Sequence, residues 1–190
     1  LDGPFPDDTI AYSYDALGRV TGRAVNGVAA QITFDELGRI TAINDALGTS
    51  TAAFEGASER PLQLVRSNGV TTNFAYFGNT NDRRLSQIEN IRTGTGTLSK
   101  FDYTYDAVGR ISTWSQQLGG VATPDLWTIV SDAVGQLQSV AVTRGATAVS
   151  NSTYSYDAAG NRVTESTGGV TKNSRYDALN RLLDQDAALA

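Results

Sequence analysis

YSYDALGRV, residues 12–20, returns as YTYDAVGRI at 103–111 and as YSYDAAGNRV at 154–163. Anchored on its acidic residue, the phrase falls at Asp15, Asp35, Asp106, Asp132, Asp157 and Asp177. The steps from 15 to 35 and from 157 to 177 are 20 residues; those from 106 to 132 and 132 to 157 are 26 and 25. Between Asp35 and Asp106 the phrase decays without vanishing, as FEGASERPLQLV from Phe54 and AYFGNTNDRRLSQI from Ala75. NDALG at 44–48 is a half-echo. A short fixed period marks a chain of stacked supersecondary units. There are about eight of them here, with insertions confined to turns.

The chemistry of one unit reads as strand, turn, strand. In Asp15-Ala16-Leu17-Gly18, Asp opens a type I turn, where its carboxylate accepts the turn's N–H groups. Glycine then takes the left-handed position, giving a three-residue hairpin with a bulge. YDALNRL is an internal test: Asn180 replaces the glycine, and Asn is the non-glycine residue that best tolerates that region. Tyr12 and Tyr14 lie two apart and share one sheet face, as do Ile32 with Phe34, Tyr103 with Tyr105, and Tyr154 with Tyr156. An aromatic side chain buries roughly 150–250 Å², so such rungs supply much of a core. Arg19, Arg39, Arg110 and Arg181 follow the turn. Each is expected to fold back on its own Asp or to lie over a neighbouring ring. Leu17, Leu37, Val108, Val134 and Leu179 sit inside the turn, where an apolar tip is expected to pack on the next turn along. YDAAGNRV leaves two registers open. Either Asn161 stands for the Arg and Arg162 for the apolar residue, or one residue is inserted and the alternation flips downstream.

The rest of the chain is read as β. AQITF, GVTTNFAYF, LWTIV and SVAVT are rich in Thr, Val, Ile and aromatics and are bounded by Gly, Asn, Asp and Ser. Asn26-Gly27 and Asn68-Gly69 are two-residue hairpin signals, with Gly119-Gly120 and Gly168-Gly169 in comparable places. Only the tail, YDALNRLLDQDAALA, is expected to end in a short helix. The fold class is all-β: tandem β-hairpins in a continuous twisted or curled antiparallel sheet. The expected organisation has three parts. Residues 1–11 form an extended, proline-punctuated linker or donor strand, 12–183 hold the repeats, and 184–190 form a tail.

Composition excludes several function classes. Cys, Met and His are absent, which removes disulfides, thiol chemistry, Cys/His zinc sites and His-based triads. Net charge is −5, and Arg83-Arg84 is the only adjacent basic pair, so neither a nucleic-acid footprint nor membrane insertion is expected. Arg outnumbers Lys 13 to 2, which points to arginine at geometrically defined positions. Leu1 in place of Met is read as a removed leader or a segment of something longer.

No catalytic, cofactor-binding or metal-binding residue is assigned, and an enzyme is not expected. Eight equivalent Asp turns would mean eight active sites, and the turn at Asp132 lacks the Arg. Thr93-Gly94-Thr95-Gly96-Thr97 lacks the Lys and helix of a phosphate loop and reads as a hairpin loop. Asp7-Asp8 is too small a cluster for calcium. Asn151-Ser152-Thr153 matches a glycosylation sequon, a tripeptide that also arises by chance. Trp114 and Trp127 are weighed as sugar platforms and read as inter-strand packing. The residues singled out are structural: Tyr14, Asp15, Gly18 and Arg19; Phe34, Asp35, Gly38 and Arg39; Tyr105, Asp106, Gly109 and Arg110; Tyr156, Asp157 and Gly160; Tyr176, Asp177, Asn180 and Arg181.

YSYDALGRVT, YTYDAVGRIS, YSYDAAGNRV and SRYDALNRLL resemble the YD, or RHS, repeats of bacterial secreted and cell-surface proteins and of animal teneurins. The resemblance covers residues 12–183. It implies β-hairpins joined side by side into a long sheet that, in the family, spirals into a hollow shell. In bacterial members that shell often encloses a C-terminal toxin. Complete shells use many more repeats than eight, and neither the Pro- and Asp-containing closing motif nor a toxin-like domain is found in these residues. Two functions follow as expectations. The first is a non-catalytic extracellular structural or interaction protein: a surface scaffold, an adhesion module or a filament subunit. The alternative is a fragment of a toxin-enclosing shell. The partners expected are copies of the chain or further repeats, paired by strand edges, with surface carbohydrate or protein as further candidates. No cofactor is expected.

Overall fold

Alternating rings and hydroxyls, cut by turn residues, leave the chain little choice but a meander. The computed structural model describes residues 8–188 and contains sixteen strands in one sheet, each beside its sequence neighbours in the order of the chain. The sheet is antiparallel and not closed, with the first and last strands at its two ends. Residues 1–98 and 99–190 form two compact units. The first holds β1 (Ile10–Tyr14), β2 (Val20–Val25), β3 (Val28–Phe34), β4 (Ile40–Asp45), β5 (Gly48–Phe54), β6 (Pro61–Val65), β7 (Val70–Tyr76) and β8 (Leu85–Arg92). β9 (Gly96–Tyr105) leads into the second, which continues through β10 (Ile111–Leu118), β11 (Asp125–Ser131), β12 (Leu137–Arg144), β13 (Thr147–Tyr156), β14 (Arg162–Thr167), β15 (Val170–Tyr176) and β16 (Leu182–Ala188).

Register gives each unit two unlike faces. In the first, Ile32 faces Ile43 and Phe34 faces Ile40 on one side, while Ser13, Gly22, Gln31 and Asn44 form a small polar row on the other. In the second, Tyr103, Trp114, Trp127 and Val142 make one cross-strand row. Thr104, Thr113, Thr128 and Ala141 make the row behind it. Burial is shallow on both faces: among the described residues, Val142 at 7% exposure is the only hydrophobic side chain that is buried, and none is fully enclosed. The one buried hydroxyl among the described residues of the first unit, on β7, is well satisfied. Thr72 accepts from Arg66 and donates to Asn90, both at 2.7 Å.

Two expectations are corrected here. No helix forms in the tail as far as Ala188: β16 runs through Leu182–Ala188, because Thr171 to Tyr176 of β15 offer a ladder that pairs with it. Asn68-Gly69 is not a two-residue turn. Val65 pairs with Thr71, Arg66 N–H bonds to the Val70 carbonyl, and only Gly69 is left-handed (φ +79°), which makes a three-residue turn. Asn26-Gly27, with both residues at positive φ (51° and 80°) between paired Val25 and Val28, is the tight form. Asp7 and most of the segment 1–11 lie outside the described residues.

Candidate functional site: the joint between successive hairpins

The acidic phrase builds the same turn each time. Gly18 N–H bonds to the Asp15 carbonyl and Asp15 N–H to the Arg19 carbonyl, both at 3.0 Å, and the bonds recur at Asp35, Asp106, Asp132, Asp157 and Asp177. Gly18, Gly38, Gly109, Gly135 and Gly160 are left-handed there (φ 78–93°), and Asn180 takes the same place at 59°. The ladder slips by one residue beside the turn, so that Tyr14 faces Val20. Glu55 closes a turn one residue longer, its N–H meeting the Arg60 carbonyl.

The carboxylate ties this loop together. Asp15 Oδ1 accepts the Leu17 and Arg19 N–H groups at 2.9 Å, and Oδ2 accepts Arg19 Nε at 2.6 Å. Asp35, Asp106 and Asp177 repeat all three bonds. The Arg110 side chain holds the Asp106 carboxyl below its ordinary range, helped by backbone N–H groups. At Asp157 the Asn161 side chain does the same, and at Asp177 the Arg181 backbone N–H leads.

Arg19 and Arg39 meet both alternatives at once: the Nε of each stays on its own Asp while the guanidinium reaches the following hairpin. Arg19 lies 4.4 Å over the Phe34 ring, Arg39 4.6 Å over Phe54, and Arg60 6.0 Å over Tyr76. Arg39 also donates to the Gly56 carbonyl at 2.8 Å and to the Ser58 carbonyl. Arg110 donates to the Asp132 carbonyl of the next turn at 2.9 Å. Where Arg is missing, an amide takes its place. Asn161 donates to Asn180 Oδ1 at 2.9 Å, and Gln136 sits where a Cβ on Gly160 would stand 3.3 Å away. Asn161 thus occupies the arginine position, and Arg162, paired with Tyr156, occupies the apolar one; no residue is inserted.

A return contact had no signal in the sequence. The ring before the turn reaches back to the preceding hairpin. Tyr76 Oη donates to the Pro61 carbonyl and Tyr156 Oη to the Leu137 carbonyl at 2.9 Å, and Tyr176 Oη to the Arg162 carbonyl at 3.1 Å. Each acceptor is the first residue of the strand after the previous turn. Finding this from sequence requires knowing which strand neighbours which.

The turn tips correct another expectation. Leu17, Leu37, Val108, Val134 and Leu179 are 59–80% exposed and do not pack on the next turn. Successive turns of this kind stand two strands apart, roughly 9.5 Å, and at that spacing the tips stay in solvent. Trp114 and Trp127 stack on each other across β10 and β11, ring centres 4.6 Å apart, with Phe101 at 6.4 Å from Trp114. The loop at 93–97 is a hairpin turn leading into β9, and Asn151 lies within β13. Among the described residues, no three metal-ligating side chains cluster.

No family model and no curated protein matches the chain. Among solved structures, a TccC3 mutant of the Photorhabdus luminescens Tc holotoxin pore superposes at TM-score 0.70 and 19% identity, covering 92% of this chain and 10% of that one. A crystal structure of TcdB2-TccC3 with Cdc42 gives TM-score 0.43 at 14% identity, over 94% of this chain and 12% of that one. A porin-like protein from Bacteroides uniformis gives 0.39 at 13%, over 94% and 87%. The chain thus spans about a tenth of the length of the holotoxin chain it matches. With the Tyr-Asp-x-x-Gly-Arg phrase carried on a meander of joined hairpins, the chain has the fold of the YD/RHS-repeat family.

Proposed function

We propose that the chain is a non-catalytic length of wall from a secreted YD/RHS-repeat shell that encloses a C-terminal toxin. The observation that carries this is the superposition of nearly the whole chain, at TM-score 0.70, on one tenth of a Tc holotoxin chain. The physical character of the sheet agrees. In each unit the described residues form a single sheet layer with almost no buried core, the property of a partition rather than of a self-contained domain. Its partners are then further repeats of a longer chain, added at the strand edges. Adhesion, filament building and carbohydrate binding have no specific observation in their favour.

The test is to extend the chain through its flanking coding sequence and treat the purified product with protease. A C-terminal segment that stays intact until denaturant opens the sheet is the expected result. Digestion of that segment as fast as in isolation, or flanking sequence with no further repeats, overturns the reading.

A further inference from the structure

Arg83-Arg84, the only adjacent basic pair in the chain, sits in the turn between β7 and β8, which is unlike its neighbours. Phe77 N–H meets the Arg84 carbonyl at 2.9 Å, so the closed turn is eight residues long, against five at Asp15 and six at Glu55. Phe77 stands where Asp15 stands in its own turn, so the carboxylate that ties the repeated loop has no counterpart at that position. Instead Asn79–Asn81 make one turn of 3-10 helix, followed by Asp82 and Arg83 at φ 55° and 50°. Among the described residues, no other two successive non-glycine residues are both left-handed. That region is costly for any residue with a Cβ, and Arg83 lacks the local side-chain bonding that eases it for Asn or Asp. Residues 78–82 are exposed. The two arginines are held by partly exposed ion pairs, Arg83 with Glu55 and Arg84 with Asp82 at 2.6 Å, and such pairs contribute little.

We infer that the Arg83-Arg84 turn is a processing site, cut by a protease whose acidic specificity pocket takes arginine. Such an enzyme needs the residues on both sides of the bond to lie extended in its cleft, so the segment must open locally before it is cut. The Asp turns resist this: Arg19, Arg39, Arg110 and Arg181 each stand next to a strand, with backbone N–H and Nε both tied to the acid. The remaining basic residues lie in strands or in turns of five or six residues. Opening residues 78–83 breaks no strand pair and releases two left-handed residues. Hydrolysis after Arg83 puts the hydroxyl of water on the Arg83 carbonyl carbon and its hydrogen on the Arg84 nitrogen, as the C–N bond between them breaks. The new ends leave β7 and β8 paired in seven places, from Val70 with Arg92 to Tyr76 with Leu85. The cut therefore replaces a covalent connection by a seam that only the ladder holds. The use of that seam, as a line along which an enclosing sheet gives way once a protease has acted, rests on the reading of the chain as shell wall; the cut itself stands on the turn alone.

Limited digestion of the whole chain with a trace of trypsin, its fragments read by mass spectrometry, is the test. The first cut is expected within the pair, giving a piece that starts at Arg84 or Leu85. The two pieces are expected to elute together from a sizing column until denaturant is added. The double variant Arg83→Gln, Arg84→Gln is expected to slow the first cut by about tenfold or more. Asp82→Gly keeps both arginines but removes the cost of one left-handed residue, so the turn opens less often and the cut is expected to slow by about threefold. Glu55→Gln frees Arg83 and is expected to speed it by about twofold. If the double variant disturbs its hairpin, visible by circular dichroism, Asp82→Gly still decides. A first cut at any other basic residue overturns the inference, as does a chain left whole for as long as the denatured chain takes to be digested. A rate unmoved by Asp82→Gly, or pieces that part as soon as they form, overturns it as well. None of these outcomes bears on the shell, which protection of the enclosed segment tests separately.

Discussion

At the scale of the residue, the phrase Tyr-Asp-x-x-Gly-Arg is an instruction for backbone geometry. Gly18 shows this most cleanly, because an added Cβ would meet nothing within 4 Å while φ is +78°. Any penalty there is conformational, not steric. Gly18→Ala is expected to lower stability by about 1–2 kcal/mol, and Gly18→Asn by clearly less, measured by urea denaturation. Equal losses would remove the turn argument. The Asp turns also set a pH limit. Asp106, Asp157 and Asp177 have carboxyls held below the ordinary range by the bonds they accept. A depressed native pKa gives stability that is fully present above the unfolded value, about 3.9, and is lost as pH falls through the native one. Near-ultraviolet circular dichroism is therefore expected to be flat from neutral pH to about 4 and to collapse below it. Asp106→Asn should soften the collapse. Much of this was legible in the sequence, since Asn180 in place of glycine already distinguished a left-handed turn from a ligand cradle. The double duty of arginine was not, because choosing between its own Asp and a neighbouring ring takes knowledge of the neighbour. Nor were the exposed tips, because turn-to-turn spacing belongs to the sheet.

At the scale of the element, hairpins are stabilised by what lies across from each strand. The row Tyr103, Trp114, Trp127, Val142 ends on the buried Val142 of the second unit, and it places the two indoles face to face at 4.6 Å. A double-mutant cycle on Trp114 and Trp127 is expected to return a coupling of about 0.5–1.5 kcal/mol beyond lost area. A coupling of zero would mean that the rings merely share a face. Strand content was readable from alternation, and the β9–β10 hairpin from its Asp106 turn. The Asn68-Gly69 turn was less readable: the same dipeptide as Asn26-Gly27 makes a wider loop, because the pairing of Val65 with Thr71 fixes the span before the turn residues choose. The tail illustrates the same competition. DQDAA at 184–188 has helical propensity in isolation, but β15 supplies a ladder for it, and tertiary pairing wins over a weak local preference.

At the scale of the molecule, stability has to come from neighbour-to-neighbour joints, because the described residues bury so little area that no common core holds distant strands together. Such a chain opens in patches rather than all at once. The repeats made this legible in outline, while the reach from one turn to the next, which makes the joints directional, needed coordinates. Arg39 offers the sharpest handle, since it bonds to Asp35, covers Phe54 and donates to the turn at 56–58. The measurement that tests the account most directly is hydrogen exchange across the whole chain, comparing the parent with Arg39→Ala. The expected result is lost protection in the strands flanking the turns at 35–39 and 55–60, with residues 99–190 unchanged. An even loss along the whole chain would reveal one cooperative core and contradict the account.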